Sequence, residues 1–162
     1  MIYITGDTHG QFERIENFCR RYGTGKDDVM IILGDAGINF SGGLRDQIKK
    51  EYLESLPVTI FAIHGNHERR PWTIDSYQEK RWHGGVVYYE KEYPSLLFAK
   101  DGEIFDLDGK KAIVIGGAYS IDKMVRLIYG YGWWPDEQPS EEIKQNVERK
   151  LNELSWNVDV VL

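Results

Sequence analysis

Three short stretches carry residues whose types and spacing could do chemistry: Gly6-Asp7-Thr8-His9-Gly10, Gly34-Asp35-Ala36-Gly37 and Gly65-Asn66-His67-Glu68. Each begins where an apolar run ends. Asp7 and His9 stand two apart, so in extended backbone their side chains leave on the same side and can close on one cation. Asp35 adds a carboxylate whose two oxygens can bridge two cations. Asn66 supplies a neutral amide oxygen. His67, one residue on, points elsewhere and suits proton transfer, because an unperturbed imidazole titrates near neutral pH. One Gly-Asp after a strand is an ordinary Asx turn. Three such clusters in succession are explained more economically by one shared metal site.

The elements around them must bring these clusters together. Ile2 to Thr5, Val29 to Leu33 and Val58 to Ile63 are β-branched apolar runs that read as buried strands. Between the first two, Phe12, Ile15, Phe18, Cys19 and Tyr22 share one helical face; between the next two, Leu44, Ile48, Tyr52, Leu53 and Leu56 do the same. This βαβαβ pattern implies a parallel sheet with its polar strand ends along one edge. Val86 to Tyr89, Leu96 to Ala99, Glu103 to Asp106 and Lys111 to Ile115 read as strands of a second sheet, with Asp108-Gly109 as a hairpin turn.

From Leu127 to Pro139 the chain reads as an ordered loop, with Trp133 and Trp134 as packing anchors. Ser140 is placed to cap a helix buried along Ile143, Val147, Leu151 and Leu154. The final Asn-Val-Asp-Val-Val-Leu reads as a buried parallel strand. Among the remaining polar residues, His64 fits packing or support of the site, and His83 fits either a pocket wall or a turn cap. Gly23 to Asp28 lacks P-loop spacing and reads as a solvated turn. Arg45, Lys49 and Lys50 read as a solvated face. Ser120, Asp122, Lys123 and Arg126 fall near the expected cleft, where a cation could contact phosphate.

A net charge of −6 argues against nucleic-acid binding driven by bulk charge but leaves small anionic substrates open. One cysteine, Cys19, excludes an intramolecular disulfide framework and fits a reducing compartment. No apolar run approaches the ~18 residues of a membrane span. A cytoplasmic protein with one domain over residues 1–162 is the expectation.

Taken in order, Asp7-x-His9, Gly34-Asp35 and Gly65-Asn66-His67-Glu68 resemble the motif series of the calcineurin-like metallophosphoesterases. The Trp82-His83-Gly84-Gly85 and Gly116-Gly117-Ala118-Tyr119-Ser120 stretches resemble a small bacterial branch of that family. The resemblance implies an α/β fold of two packed mixed β-sheets flanked by helices. It also implies metal ligation by Asp7, His9, Asp35 and Asn66, with Asp35 bridging, and leaving-group assistance by His67. Divalent Mn, Fe, Zn or Ni would suit the nitrogen and oxygen donors. The implied reaction is hydrolysis of a phosphomonoester or phosphodiester. The alternative is a non-catalytic metal- or phosphate-binding module of the same fold, and self-association is left open.

Two departures from the family pattern bear on this. Ile38 stands where many members carry an Asp that orients the catalytic His, leaving Glu68 as the substitute the sequence offers. The family's downstream post-strand His and Gly-His-x-His do not appear before Leu162, so the expectation is a fold lacking its C-terminal part, an impaired second metal site, the one the resemblance gives to Asn66, and impaired hydrolysis by this chain. Calorimetric titration with manganese is therefore expected to find at most one tight site per chain; two tight sites would contradict this.

Overall fold

The computed structural model describes residues 1–162. The predicted βαβαβ unit forms from β1 (Ile2–Thr5), α1 (Glu13–Tyr22), β2 (Val29–Leu33), α2 (Leu44–Ser55) and β3 (Thr59–Ile63). β1, β2 and β3 pair in parallel, with Ile4 opposite Ile31 and Ile31 opposite Phe61, so their three carboxyl ends lie side by side. The sheet continues through β6 (Tyr93–Ala99), parallel to β3, then antiparallel β5 (Gly85–Glu90) and β4 (Gln78–Trp82). A second sheet holds β7 (Ile104–Leu107), β8 (Lys110–Ile113) and β9 (Val160–Val161). Asp108 and Gly109 turn β7 into β8 with φ of 54° and 78°, as the hairpin signal requires.

Alternate residues of the central strands face different cores. Ile60 and Ala62 of β3, and Leu96 and Phe98 of β6, pack with Phe12, Ile15 and Cys19 of the first helical layer. Phe61, Ile63, Leu97 and Ala99 pack with Phe105, Leu107, Ala112 and Val114 of the second sheet. That sheet in turn covers itself with α4 (Glu141–Glu153) through Ile113, Val147 and Leu151. The layers are thus helix, sheet, sheet, helix, the expected mixed α/β architecture.

Several sequence expectations need correction. Val86 to Tyr89 and Leu96 to Ala99 belong to the first sheet, because β6 is apolar on both faces and can be covered on both only in an interior position beside β3. Of the expected α2 face, Leu53 and Leu56 are buried and Tyr52 packs against the core, but Leu44 and Ile48 are exposed and Asp46 and Lys50 turn inward instead. Burial is tolerated there because the Asp46 carboxylate accepts from Ser41 N and Gly42 N, and Lys50 Nζ lies 2.5 Å from Glu90 Oε2. Lys49 donates to Gly37 O, so neither lysine belongs to a solvated face. β9 is parallel as expected, but both its valines are exposed on a sheet edge.

The Leu127 to Pro139 loop is entered through a short helix, α3 (Lys123–Tyr129), which ends at left-handed Gly130. Trp134 packs edge-on against Phe40, as an anchor should. Ser140 caps α4 by accepting from Ile143 N. No helix is long and apolar enough to cross a membrane.

One buried residue ties these parts together. Arg70, 1% exposed, donates from Nη1 to Asp101 Oδ2 at 2.5 Å, from Nε to Asp136 O at 2.6 Å, and from Nη2 to Gly116 O at 3.2 Å. Asp101 Oδ1 accepts from Gly116 N. Burial pushes the Asp101 carboxyl up, while Arg70 and the Gly116 amide pull it back. Asp101→Ala or Arg70→Ala is expected to cost about 3–5 kcal/mol in urea unfolding, because each leaves a buried charge alone. The paired Arg70→Met, Asp101→Leu variant should lose less than the sum of the two.

Candidate metal centre

The loops after β1, β2 and β3 are laced to one another at Asp35. Its carbonyl accepts from Thr8 N at 3.3 Å and His9 N at 2.8 Å; its carboxylate Oδ1 accepts from His67 N at 2.8 Å. Gly10 N and Thr8 Oγ1 add bonds to Ala36 O. Two glycines make the approach feasible. A Cβ on Gly65 would collide with Asp35 Oδ1 and Asp35 N, and one on Gly37, whose φ is 79°, would stand 2.5 Å from Gly10 N.

The geometry that brings Asp7 and His9 together differs from the one their spacing suggests. Both residues lie past the end of β1, and His9 has a φ of 47°, in a turn rather than an extended strand. Asp35 likewise has a φ of 45°. Left-handed backbone at two non-glycine residues of one site is strain that the surrounding bonds must hold.

His9 Nε2 lies 3.7 Å from Asp7 Oδ2 and 3.9 Å from Asp35 Oδ2. Bonds of about 2.0–2.2 Å from a shared ion span such separations, so these donors fit a divalent metal. His67 also comes close: ligand atoms of His9, Asp35 and His67 lie within 4.8 Å of one another, and the two imidazole rings are 5.6 Å apart. Asn66 shares a cavity of about 470 Å³ with Asp7 and Asp35, walled on its far side by Gly116, Val161 and Leu162. A larger cleft of about 780 Å³ beside Trp72 and Lys144 includes none of these five residues.

The nominated substitute for the missing His-orienting acid does something else. Glu68 is fully buried beneath the loops, where its carboxylate accepts from Gly65 N at 2.9 Å and Gly37 N at 3.3 Å. Burial pushes its pKa up to about 7, against the pull of those amides. The acid nearest the His67 ring is Asp122, with Oδ1 3.9 Å from Nε2. Sequence spacing could not pair residues 67 and 122; their meeting depends on the loop after β8.

His64 packs behind the site with both ring nitrogens unpartnered, and burial, aided by Arg70, pushes its pKa down to about 2. It is a neutral packing residue. His83 has a φ of 47° at the β4–β5 turn and donates from Nδ1 to Asp106 O, which settles it as a turn residue. Arg126 is buried, with Nε on Gly132 O and Nη1 on Ser120 Oγ, and Lys123 Nζ sits 4.0 Å above the Trp133 ring. Neither side chain is disposed as a free phosphate ligand. Asn66 Nδ2 donates to the same Ser120 Oγ.

A metal-type donor set on the carboxyl ends of three parallel strands, within a four-layer α/β fold, is the frame of a metal-dependent hydrolase. Residues 1–162 match the family model for calcineurin-like phosphoesterases, and the chain belongs to that family. Metal-dependent phosphoesterase activity is the general function that membership carries. Searches of curated proteins and of solved structures returned no match.

Gly65→Ala tests the lacing directly. The added methyl must displace the Asp35 carboxylate, so manganese affinity is expected to fall by about tenfold or more, with about 1–3 kcal/mol lost in stability. Isothermal titration and thermal unfolding read the two effects separately.

Proposed function

We propose that the chain hydrolyses small phosphate esters, monoester or diester, with Asp7, His9, Asp35 and Asn66 holding divalent metal and His67 transferring a proton. The observation that supports this most directly is the meeting of His9, Asp35 and His67 within 4.8 Å, with Asp7 Oδ2 beside His9 Nε2. A bound divalent metal supplies Lewis-acid polarisation of phosphate oxygens and a nucleophilic water at neutral pH. The chain's own residues set where this happens. Asp35, nearly buried, is held by the His67 amide on one oxygen and turns the other toward His9. Asp7 and His9, about half exposed, form the open rim through which an ester reaches the site.

His67 is one-third exposed, with its backbone fixed on Asp35 and its ring between His9 and Asp122. From there the ring can pass a proton to the departing oxygen. The net charge of −6 makes small esters better substrates than nucleic-acid polymers unless the metal reverses the local sign.

Hydrolysis of p-nitrophenyl phosphate and its bis ester, with and without manganese, tests the proposal. Activity should require the metal. Asp35→Asn should lower it by about 100-fold or more. His67→Ala should lower turnover by about 10²–10⁴-fold while manganese affinity stays within a few-fold. A large loss of affinity in His67→Ala would make it a ligand instead. Turnover indifferent to Asp35→Asn would remove the site from consideration.

A further inference from the structure

We infer that Ser120 and Glu137 are positioning residues that fix which end of the Asn66 amide faces the metal centre. The inference rests on the proposed role of Asn66 as a metal ligand. The chain leaves β8, crosses behind the site with Gly117 N donating to His64 O, and delivers Ser120 against Asn66. Glu137 arrives from the loop before α4 on the other side of Ser120, and Arg126 closes the group from α3. Ser120, Glu137 and Arg126 are 1%, 2% and 3% exposed, so no solvent competes for their bonds.

Proton counting then determines the amide's direction. The Ser120 hydroxyl has one proton and two lone pairs. Its proton goes to Glu137 Oε2 at 2.5 Å, a charge-assisted bond, while Glu137 Oε1 accepts from Ser120 N at 3.1 Å. Arg126 Nη1, which can only donate, occupies one lone pair at 2.9 Å. The remaining lone pair accepts from Asn66 at 2.9 Å, so the amide must present its NH₂ group. Were the amide reversed, its oxygen would face a hydroxyl with no proton left to give. Asn66 Oδ1 is therefore turned away from Ser120 and left free for a cation in the cavity that Asn66 shares with Asp7 and Asp35.

The same logic explains why two charged groups are buried here without touching each other directly. Glu137 commits the hydroxyl proton outward, Arg126 fills the competing lone pair, and the two opposite charges polarise the hydroxyl in the same sense. The substitution Glu137→Gln would lose this polarity. One end of the new amide would have to accept from Ser120 N, which turns its NH₂ end toward the hydroxyl and frees the Ser120 proton to meet Asn66 Oδ1.

The test is manganese binding without substrate, read by electron paramagnetic resonance of free Mn²⁺, on the full chain and on Asn66→Ala, Ser120→Ala, Glu137→Gln and the Asn66→Ala, Ser120→Ala pair. Circular dichroism checks folding, and Glu137→Gln, nearly isosteric, decides the matter if Ser120→Ala does not fold. Ser120→Ala and Glu137→Gln are each expected to weaken the Asn66-dependent binding by about 10–100-fold. Ser120→Ala should have no further effect once Asn66 is replaced by Ala. An equal loss in that background would mean a merely structural role and overturn the inference. If Asn66→Ala weakens binding but Ser120→Ala and Glu137→Gln do not, the positioning role falls while the metal reading stands. If Asn66→Ala itself changes nothing, both fall.

Discussion

The Arg70 guanidinium is the contact on which the relation between the two sheets depends. Arg70 follows β3 of the first sheet, Asp101 joins β6 to β7, and Gly116 lies just past β8 of the second sheet. A third bond, to Asp136 O, draws in the loop before α4. A planar fork with fixed donor directions can satisfy all three at once, which a lysine could not. Buried ion pairs often contribute little net stability. The value of this one is geometric, because it sets how far the loop carrying Ser120 stands from the loop carrying Asn66.

Asp35 plays the corresponding part within the first sheet. Its carbonyl binds the loop after β1, its Oδ1 binds the loop after β3, and its Oδ2 faces His9. The left-handed backbone at Asp35 and His9 is unfavourable in isolation and is held by this lacing. Glu68 supports the arrangement from below by accepting from Gly37 and Gly65, the two glycines that allow the loops to touch. Strain, glycine placement and a buried carboxyl thus belong to one device that converges potential metal donors from three loops.

Much of this was legible in the residues themselves. The βαβαβ order, the Asp108-Gly109 hairpin and the Ser140 cap rest on local chemistry and appear where that chemistry puts them. The three polar clusters were legible because each follows an apolar run that forms a strand; β2 and β3 are buried as expected, but β1 lies at the sheet edge, where it has one neighbour and Ile4 is exposed. What misled was periodicity read without partners. In the first half of α2, the meeting of Lys50 with Glu90, forty residues away, turns Asp46 and Lys50 inward in place of Leu44 and Ile48, while Leu53 is buried as its spacing predicts. Likewise β6 shows its place only beside β3, since membership of a sheet depends on which faces neighbours cover.

The sequence by itself determined the kind of donors available and the order in which strands deliver them, because strand ends, turns and caps are local properties of the chain. The tertiary structure alone decided how those donors are aimed. Asp7 and His9 converge through a left-handed turn and not through strand alternation. Glu68 points beneath the site, Asp122 stands beside His67, and Ser120 with Glu137 sets the sense of the Asn66 amide. Beyond the local turn at His9, the aiming rests on contacts between residues far apart in the chain, Gly37 with Glu68, His67 with Asp122 and Asn66 with Ser120, whose directions are set by proton counts and distances that exist only once both sheets have packed.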